Sequence, residues 1–214
     1  MSNALIYDIE IVNAIPGKNG ERVTGITYCA GWKDHANMGV SVIGAFDYAT
    51  QRYRVFCKDN FTEFFRLCAE RAPLVTFNGL AFDNSVIGAC CGVDLSAHPA
   101  YDILVELWAA VGLGPKFTYP THAGFGLDAV CAYNFDERKT GNGALAPVMW
   151  QQGLIGEVID YCLNDVRLTK LLYDRAEQGA TLISPPSGKL LTLRVPGASM
   201  TPAGGKPRVP LDSR

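Results

Sequence analysis

Leu5-Ile6-Tyr7-Asp8-Ile9-Glu10-Ile11-Val12 is the stretch on which the fold turns. It is short and apolar, and turn formers follow soon after it, so it reads as a buried strand. Side chains alternate across a strand, which places Tyr7, Ile9 and Ile11 on one face and Asp8 with Glu10 on the other. Two neighbouring carboxylates on a core strand repel each other and both lose water. A divalent cation with oxygen ligands between them would relieve that. The plainer alternative is that the pair ends an edge strand and faces solvent.

Around this stretch the chain divides into readable pieces. Residues 14–25 form a loop carrying Pro16, Gly17, Asn19 and Gly20. Ile26 to Trp32, Met38 to Tyr48 and Arg52 to Cys57 read as strands of an antiparallel meander that continues from the first, with Ala49-Thr50-Gln51 as a turn. Asn60-Phe61-Thr62-Glu63 has the form of a capping box and predicts a helix from Phe61 to Arg71. Leu74 to Phe77 predicts a short buried strand parallel to the first, since a helix separates it from the meander. Helices are expected from Asp83 to Gly92, from Ile103 to Val111, from Leu127 to Tyr133, for a turn or two over Leu145 to Gln151, and from Leu154 to Glu177. Strands followed by mixed elements and then helices indicate an α/β sheet covered by helices. Residues 1–178 are read as the domain. Residues 179–214, with six prolines and the bases Lys189, Arg194, Lys206, Arg208 and Arg214, are read as an extended basic tail in which Leu190 to Val195 forms one strand.

The chain has 214 residues, a formal charge of −2 and 48% hydrophobic residues, with a mean hydropathy of +0.08. It is long enough for one real core. No apolar run approaches the ~20 residues of a bilayer span, and there is no secretory signal pattern at the N-terminus, so no membrane partner is expected. The seven cysteines form no C-x-x-C pair. They read as reduced thiols of a cytoplasmic protein, and no Cys/His spacing supports zinc. The charge balance argues against holding a long duplex by phosphate contacts alone.

Two further acids fall where the sheet can bring them to Asp8 and Glu10. Asp83 follows the Leu74–Phe77 strand, in Asn78-Gly79-Leu80-Ala81-Phe82-Asp83, and open α/β sheets carry their sites at the carboxyl ends of strands. Asn78 is placed to cap the next helix. Asp165 shares a helix face with Tyr161, four residues earlier. Taken singly, Asp83 is also an ordinary first-turn acid, and Asp165 also fits a solvated polar stripe.

Asp-x-Glu, then Asn-x-x-x-Phe-Asp, then Tyr-x-x-x-Asp, in that order, resemble the three motifs of the DEDD superfamily of 3′–5′ exonucleases, in the tyrosine-bearing (DEDDy) branch. The resemblance spans Leu5 to about Tyr173. It implies a ribonuclease H-like fold, a mixed sheet with an antiparallel meander and parallel strands. It further implies two Mg²⁺ or Mn²⁺ ions held by Asp8, Glu10, Asp83 and Asp165, with Tyr161 on the rim of the cleft to orient water, and substrate contacts from Ile11, Asn78 and Phe82. The implied substrate is a single-stranded 3′ end, DNA rather than RNA because Asp-Ile-Glu-Ile is similar to some polymerase proofreading domains. Ile11 departs from the hydroxyl residue that many members carry there. An exoribonuclease with the same site, or a catalytically inactive binding module of the same fold, is the alternative. The chain reads as a stand-alone nuclease working beside a polymerase, a helicase or another replication or repair protein. Asp102 reads as a helix N-terminal acid, with support of the carboxylate site from behind as the alternative. Lys116, Arg138 and Lys139 read as residues of solvated loops, with contact to phosphates as the alternative, and Phe117, Tyr119 and Phe125 either stack on bases or pack in the core.

Overall fold

β1 (Leu5–Ile11) is the middle strand of a five-stranded sheet in a computed structural model that describes residues 2–17 and 19–197. Its two edges are both taken. On one side β2 (Val40–Asp47) pairs antiparallel to it, from Leu5↔Asp47 to Ile11↔Val40, and β3 (Arg52–Phe56) pairs antiparallel to β2. On the other side β4 (Leu74–Thr76) runs parallel to β1, and β5 (Ala100–Asp102) runs parallel to β4. The order is β3-β2-β1-β4-β5, an antiparallel meander joined to parallel strands. This is the mixed sheet surrounded by helices that the sequence predicts.

The predicted strand at Ile26 to Trp32 does not form. Only a single parallel bridge, Ala14 with Tyr28, links that segment to another. β2 takes the whole of one edge of β1; on the other, β4 pairs with Leu5 and Ile6 only, and the Ile9 amide beyond it is taken by Asp83. Residues 12–39 instead make a long loop containing one 3₁₀ turn, His35–Asn37.

Helices cover both faces. α1 (Phe61–Glu70) and α2 (Asp83–Cys91) pack on the face of Tyr7, Ile9 and Ile11, where Phe64, Leu67, Val86 and Ile87 are buried. The opposite face carries Ala4 and Ile6. It packs against α3 (Ile103–Ala110), α4 (Leu127–Phe135) and the long α6 (Ile155–Glu177) through Leu107, Val130, Val166, Leu168 and Leu172. α5 (Ala146–Gln151) lies against α6. Sequence alternation therefore separates two cores, as expected for a sheet buried on both faces. The predicted capping box is absent. Asn60 Oδ1 accepts from Cys57 N at 2.7 Å, and Glu63 turns outward to Arg66 at 2.7 Å.

Beyond α6, β6 (Thr181–Ile183) pairs antiparallel with β7 (Leu190–Thr192), and Leu182, Leu191 and Leu193 join the α3/α4/α6 core. Arg194, read as a tail base, pairs with Glu106 at 2.5 Å. Lys206, Arg208 and Arg214 lie outside the described residues. No helix among the described residues is long and apolar enough to cross a membrane.

Candidate active site

One cleft of about 370 Å³ is lined by Asp8, Glu10, Asp83, Tyr161 and Asp165 together with Ile11, Asn78 and Phe82. The reasons are local. Asp8 and Glu10 sit on the α6 side of β1 by strand alternation, and a register shift between Glu10 and Ile11 ends the regular β1–β2 pairing there. β4 stops at Thr76, so the amide of Ile9, beyond the last β1–β4 pair, lacks a strand partner on that edge; Asp83 Oδ1 accepts it at 3.2 Å. This bond ties the start of α2 to the middle of β1.

Asn78 does not cap α2. It adopts a left-handed backbone (φ 69°) and its carbonyl accepts from Phe82 N at 3.1 Å, a conformation that asparagine tolerates. The turn is instead held by Asp102, the N-cap of α3. Its carboxylate accepts from Asn78 N (2.9 Å) and Leu80 N (3.0 Å) as well as from Leu104 N (3.0 Å). Asp102 thus caps its helix, as the sequence suggests, and also shapes the loop that presents Phe82 and Asp83.

α6 reaches the sheet because residue 44 is glycine. Gly44 lies opposite Asp8 on β2, and a Cβ there would stand 2.9 Å from Cys162 Sγ and 3.3 Å from Val166 Cγ2. The close approach sets Cys162 Sγ 3.5 Å from the Asp8 carbonyl oxygen and turns Asp165 into the cleft. Single ligand atoms of Asp8, Glu10 and Cys162 lie within 4.8 Å of one another, an arrangement compatible with a metal ion.

Lys139 is the residue the sequence reading misplaces. It is not solvated: Nζ lies 2.5 Å from Asp165 Oδ2 and 3.1 Å from Tyr161 Oη. Gly141 and Gly143 let its loop lie on the Tyr161 ring, since a Cβ at either would come within 3.2 Å of that side chain. Tyr161 is consequently buried, not on the rim. The nearest signal in the sequence is the pair of glycines two and four residues after Lys139.

The electrostatics follow from burial. The carboxyls of Asp8 and Glu10 are pushed well above the usual range, first by desolvation and then by neighbouring carboxylates such as Asp165, with Lys139 opposing. Asp83 is pushed up to about 7, by burial first, with its backbone hydrogen bonds working against the rise. Asp165 is raised by burial in spite of Lys139. Lys139 is held charged: burial opposes it, but Asp165 and then Asp8 more than offset that. Burial and Asp165 also raise the Tyr161 phenol, and burial with Asp8 and Glu10 raises the Cys162 thiol well above its ordinary value. Without a metal, the Tyr161 phenol and the Cys162 thiol are therefore favoured in their neutral forms.

Asp165 Oδ1 is buried with no hydrogen-bond partner. A buried carboxylate oxygen without a partner is costly, and a cation beside Asp8 and Glu10 would satisfy it. The remaining donors are carboxylate oxygens, the ligands that Mg²⁺ and Mn²⁺ favour.

No family model matches the chain, and neither does any curated protein. Solved structures do, among them a family B DNA polymerase from the hyperthermophilic archaeon Pyrobaculum calidifontis, with a TM-score of 0.52 at 20% identity. The match covers 86% of this chain and 26% of that polymerase. The fold is ribonuclease H-like, shared with part of a DNA polymerase.

Proposed function

We propose that the protein is a two-metal-ion 3′–5′ exonuclease of the DEDDy type, which hydrolyses phosphodiester bonds one nucleotide at a time from the 3′ end of single-stranded nucleic acid, DNA in preference to RNA. The observation that carries the proposal is that Asp8, Glu10, Asp83 and Asp165 line one cleft, where Asp165 Oδ1 is buried without a partner. Those four residues would hold the ions. Bound there, two divalent ions stabilise the attacking and leaving oxygens of an in-line phosphoryl displacement.

The chain's own groups have narrower roles. Tyr161, neutral and fixed by Lys139, orients a water by hydrogen bonding. Lys139 supplies a fixed positive charge beside the reacting phosphate and opposes the rise that burial imposes on the Asp165 carboxyl. Asp102 positions Phe82 and Asp83 through the loop it holds. The preference for DNA is supported by the similarity of Asp8-Ile9-Glu10-Ile11 to some polymerase proofreading domains and by the likeness of fold to a DNA polymerase. A polymerase, helicase or repair protein is the class of partner proposed.

The test is a 5′-labelled oligonucleotide, single-stranded or annealed, as DNA and as RNA, with Mg²⁺ or Mn²⁺. The expected result is a ladder that shortens from the 3′ end. Unpairing costs ~1.4 kcal/mol per step, and a chain of net charge −2 has little to offset it. Frayed or mismatched 3′ ends should therefore be cut faster than paired ones. Cleavage of a closed circular single strand would exclude the exonuclease reading. Binding of strands without cleavage under any divalent ion would favour the inactive module.

A further inference from the structure

The loop of residues 12–39 is far longer than the two to five residues a β1–β2 hairpin needs, and long loops without strands or helices of their own are commonly functional. This loop is pinned. Gln151 of α5 receives Thr27 N at 2.7 Å and donates to the Val12 and Thr27 carbonyls at 2.8 and 3.0 Å. Asp34 accepts from Ala30 N at 2.7 Å, and the turn Gly31–Asp34 is closed by Asp34 N donating to Gly31 O at 3.0 Å. At the head of that turn stands Trp32, 68% exposed. An indole exposed on a fixed turn leaves a large flat apolar surface open to a ligand.

Trp32 lines the same cleft as Asp8 and Glu10. It meets Phe82 edge-on, ring centroids 6.0 Å apart at 60°. Phe82 is braced from its other side by His35 at 6.2 Å. An edge contact fixes the indole while leaving a face of it free. Beyond these rings Ile15, Pro16 and Pro147 add apolar lining, and Asn78, Lys139 and Tyr161 join the carboxylates; stacking itself is sequence-tolerant, because every base has a π-face. The cleft volume of about 370 Å³ is of the size that takes one small ligand such as a nucleotide.

We infer that Trp32, set against Phe82, is a stacking platform for an unpaired base at the 3′ end of a bound strand, and that it holds this base without regard to its identity. The inference rests on the nuclease reading for the direction of the strand. It adds a subsite supplied by the β1–β2 loop, with stacking as the chemistry of recognition. The platform would retain the end of the strand while the phosphodiester lies at the carboxylates, and it would select for unpaired ends because a paired base has no free face.

The experiment compares wild type, Trp32→Ala and Trp32→Phe. Each is titrated with two fluorescently labelled single strands that differ only in the last nucleotide, a normal base or an abasic site. Ca²⁺ replaces Mg²⁺, because its irregular coordination suits binding better than in-line displacement, and the strands are checked for intactness afterwards. Wild type should bind the base-terminated strand about five- to a hundredfold more tightly than the abasic one. Trp32→Ala should bind both alike, and Trp32→Phe should keep most of the difference. The difference should appear with all four bases and be somewhat larger for purines. Equal discrimination by wild type and Trp32→Ala would overturn the inference, as would wild type that ignores the abasic change. Strand shortening with Mg²⁺ is scored separately. A wild type that discriminates but never shortens the strand sustains the platform and sinks the nuclease reading; one that shortens it without discriminating does the reverse.

Discussion

Lys139 Nζ lies 2.5 Å from Asp165 Oδ2, while the other oxygen of the same carboxylate, Oδ1, is buried with no partner. One side of Asp165 is thus satisfied by the chain and the other is left for a cation. In the metal-free protein Lys139 is the charge that makes the carboxylate cluster tolerable. Lys139→Met removes it and should destabilise the metal-free protein by on the order of 2 kcal/mol, the cost of stripping a partner from a buried charge. Saturating Mg²⁺ should shrink the deficit, because the ion takes over neutralisation. Urea unfolding in EDTA and in Mg²⁺ checks this; equal deficits in the two media would show that Lys139 acts by packing alone.

The raised carboxyls make stability depend on pH in a direction that can be worked out. In the unfolded chain these groups lose their protons near pH ~4. In the folded, metal-free protein they hold them to higher pH, with Asp83 pushed up to about 7 by burial. Between those limits the folded state carries more protons than the unfolded one. Stability therefore falls as pH rises from about 4 through 7. Thermal unfolding of the metal-free protein from pH 5 to 8 should show the melting temperature dropping, and Mg²⁺ or Mn²⁺ should flatten the slope by favouring the ionised forms. Asp83→Asn should remove the part of the slope nearest pH 7. A melting temperature that climbs over this range without metal would contradict the burial of these groups.

Gly44 decides how closely α6 approaches β1. Gly44→Ala sets a methyl 2.9 Å from Cys162 Sγ, and overpacking of this kind costs about 1–3 kcal/mol. Since α6 carries Asp165, the same change should weaken divalent-ion binding. Cys162→Ala removes the clashing sulfur, so the double variant should recover both properties relative to Gly44→Ala. A double variant no better than the sum of the single losses would place the constraint elsewhere.

Much of this was legible before any coordinates. The alternation in Leu5–Ile11 separates the two cores and puts Asp8 beside Glu10, and the parallel β4 follows from the intervening α1. Ile26-Thr27-Tyr28 misleads because its composition is that of a strand, whereas one edge of β1 is filled by β2 and the other by β4 and then Asp83, a property of the whole sheet. The strand Thr181–Ile183 was hidden by Pro185 and Pro186, which form its turn: Ser184 N donates to Lys189 O at 2.8 Å. Lys139 was hidden for a similar reason. A lysine beside Arg138 in a polar loop looks solvated, and only the packing of Gly141 and Gly143 on Tyr161 shows that the loop folds inward. Asn78 was read by propensity as a cap, but its left-handed turn is imposed by Asp102, which lies 24 positions further along the chain.

Tyr161→Phe separates positioning from binding. The phenol is raised above its ordinary value by burial and by Asp165, so it holds its proton throughout the working range of the cleft and cannot take one from water. Its ring is buried, and glycines 141 and 143 lie on it, so phenylalanine fits the same space. What the change removes is the hydroxyl that Lys139 contacts at 3.1 Å. Lys139 keeps its contact with Asp165, so the fold and the affinity for divalent ions should stay near those of wild type. Single-turnover cleavage should slow by ten- to a hundredfold, the scale of a misplaced reacting group. The pH dependence of the remaining activity should keep its shape, because no titrating group near neutrality has been lost. Lower strand affinity with an unchanged single-turnover rate would assign Tyr161 to substrate binding, and a shifted pH profile would mean that the phenol does exchange a proton during the reaction.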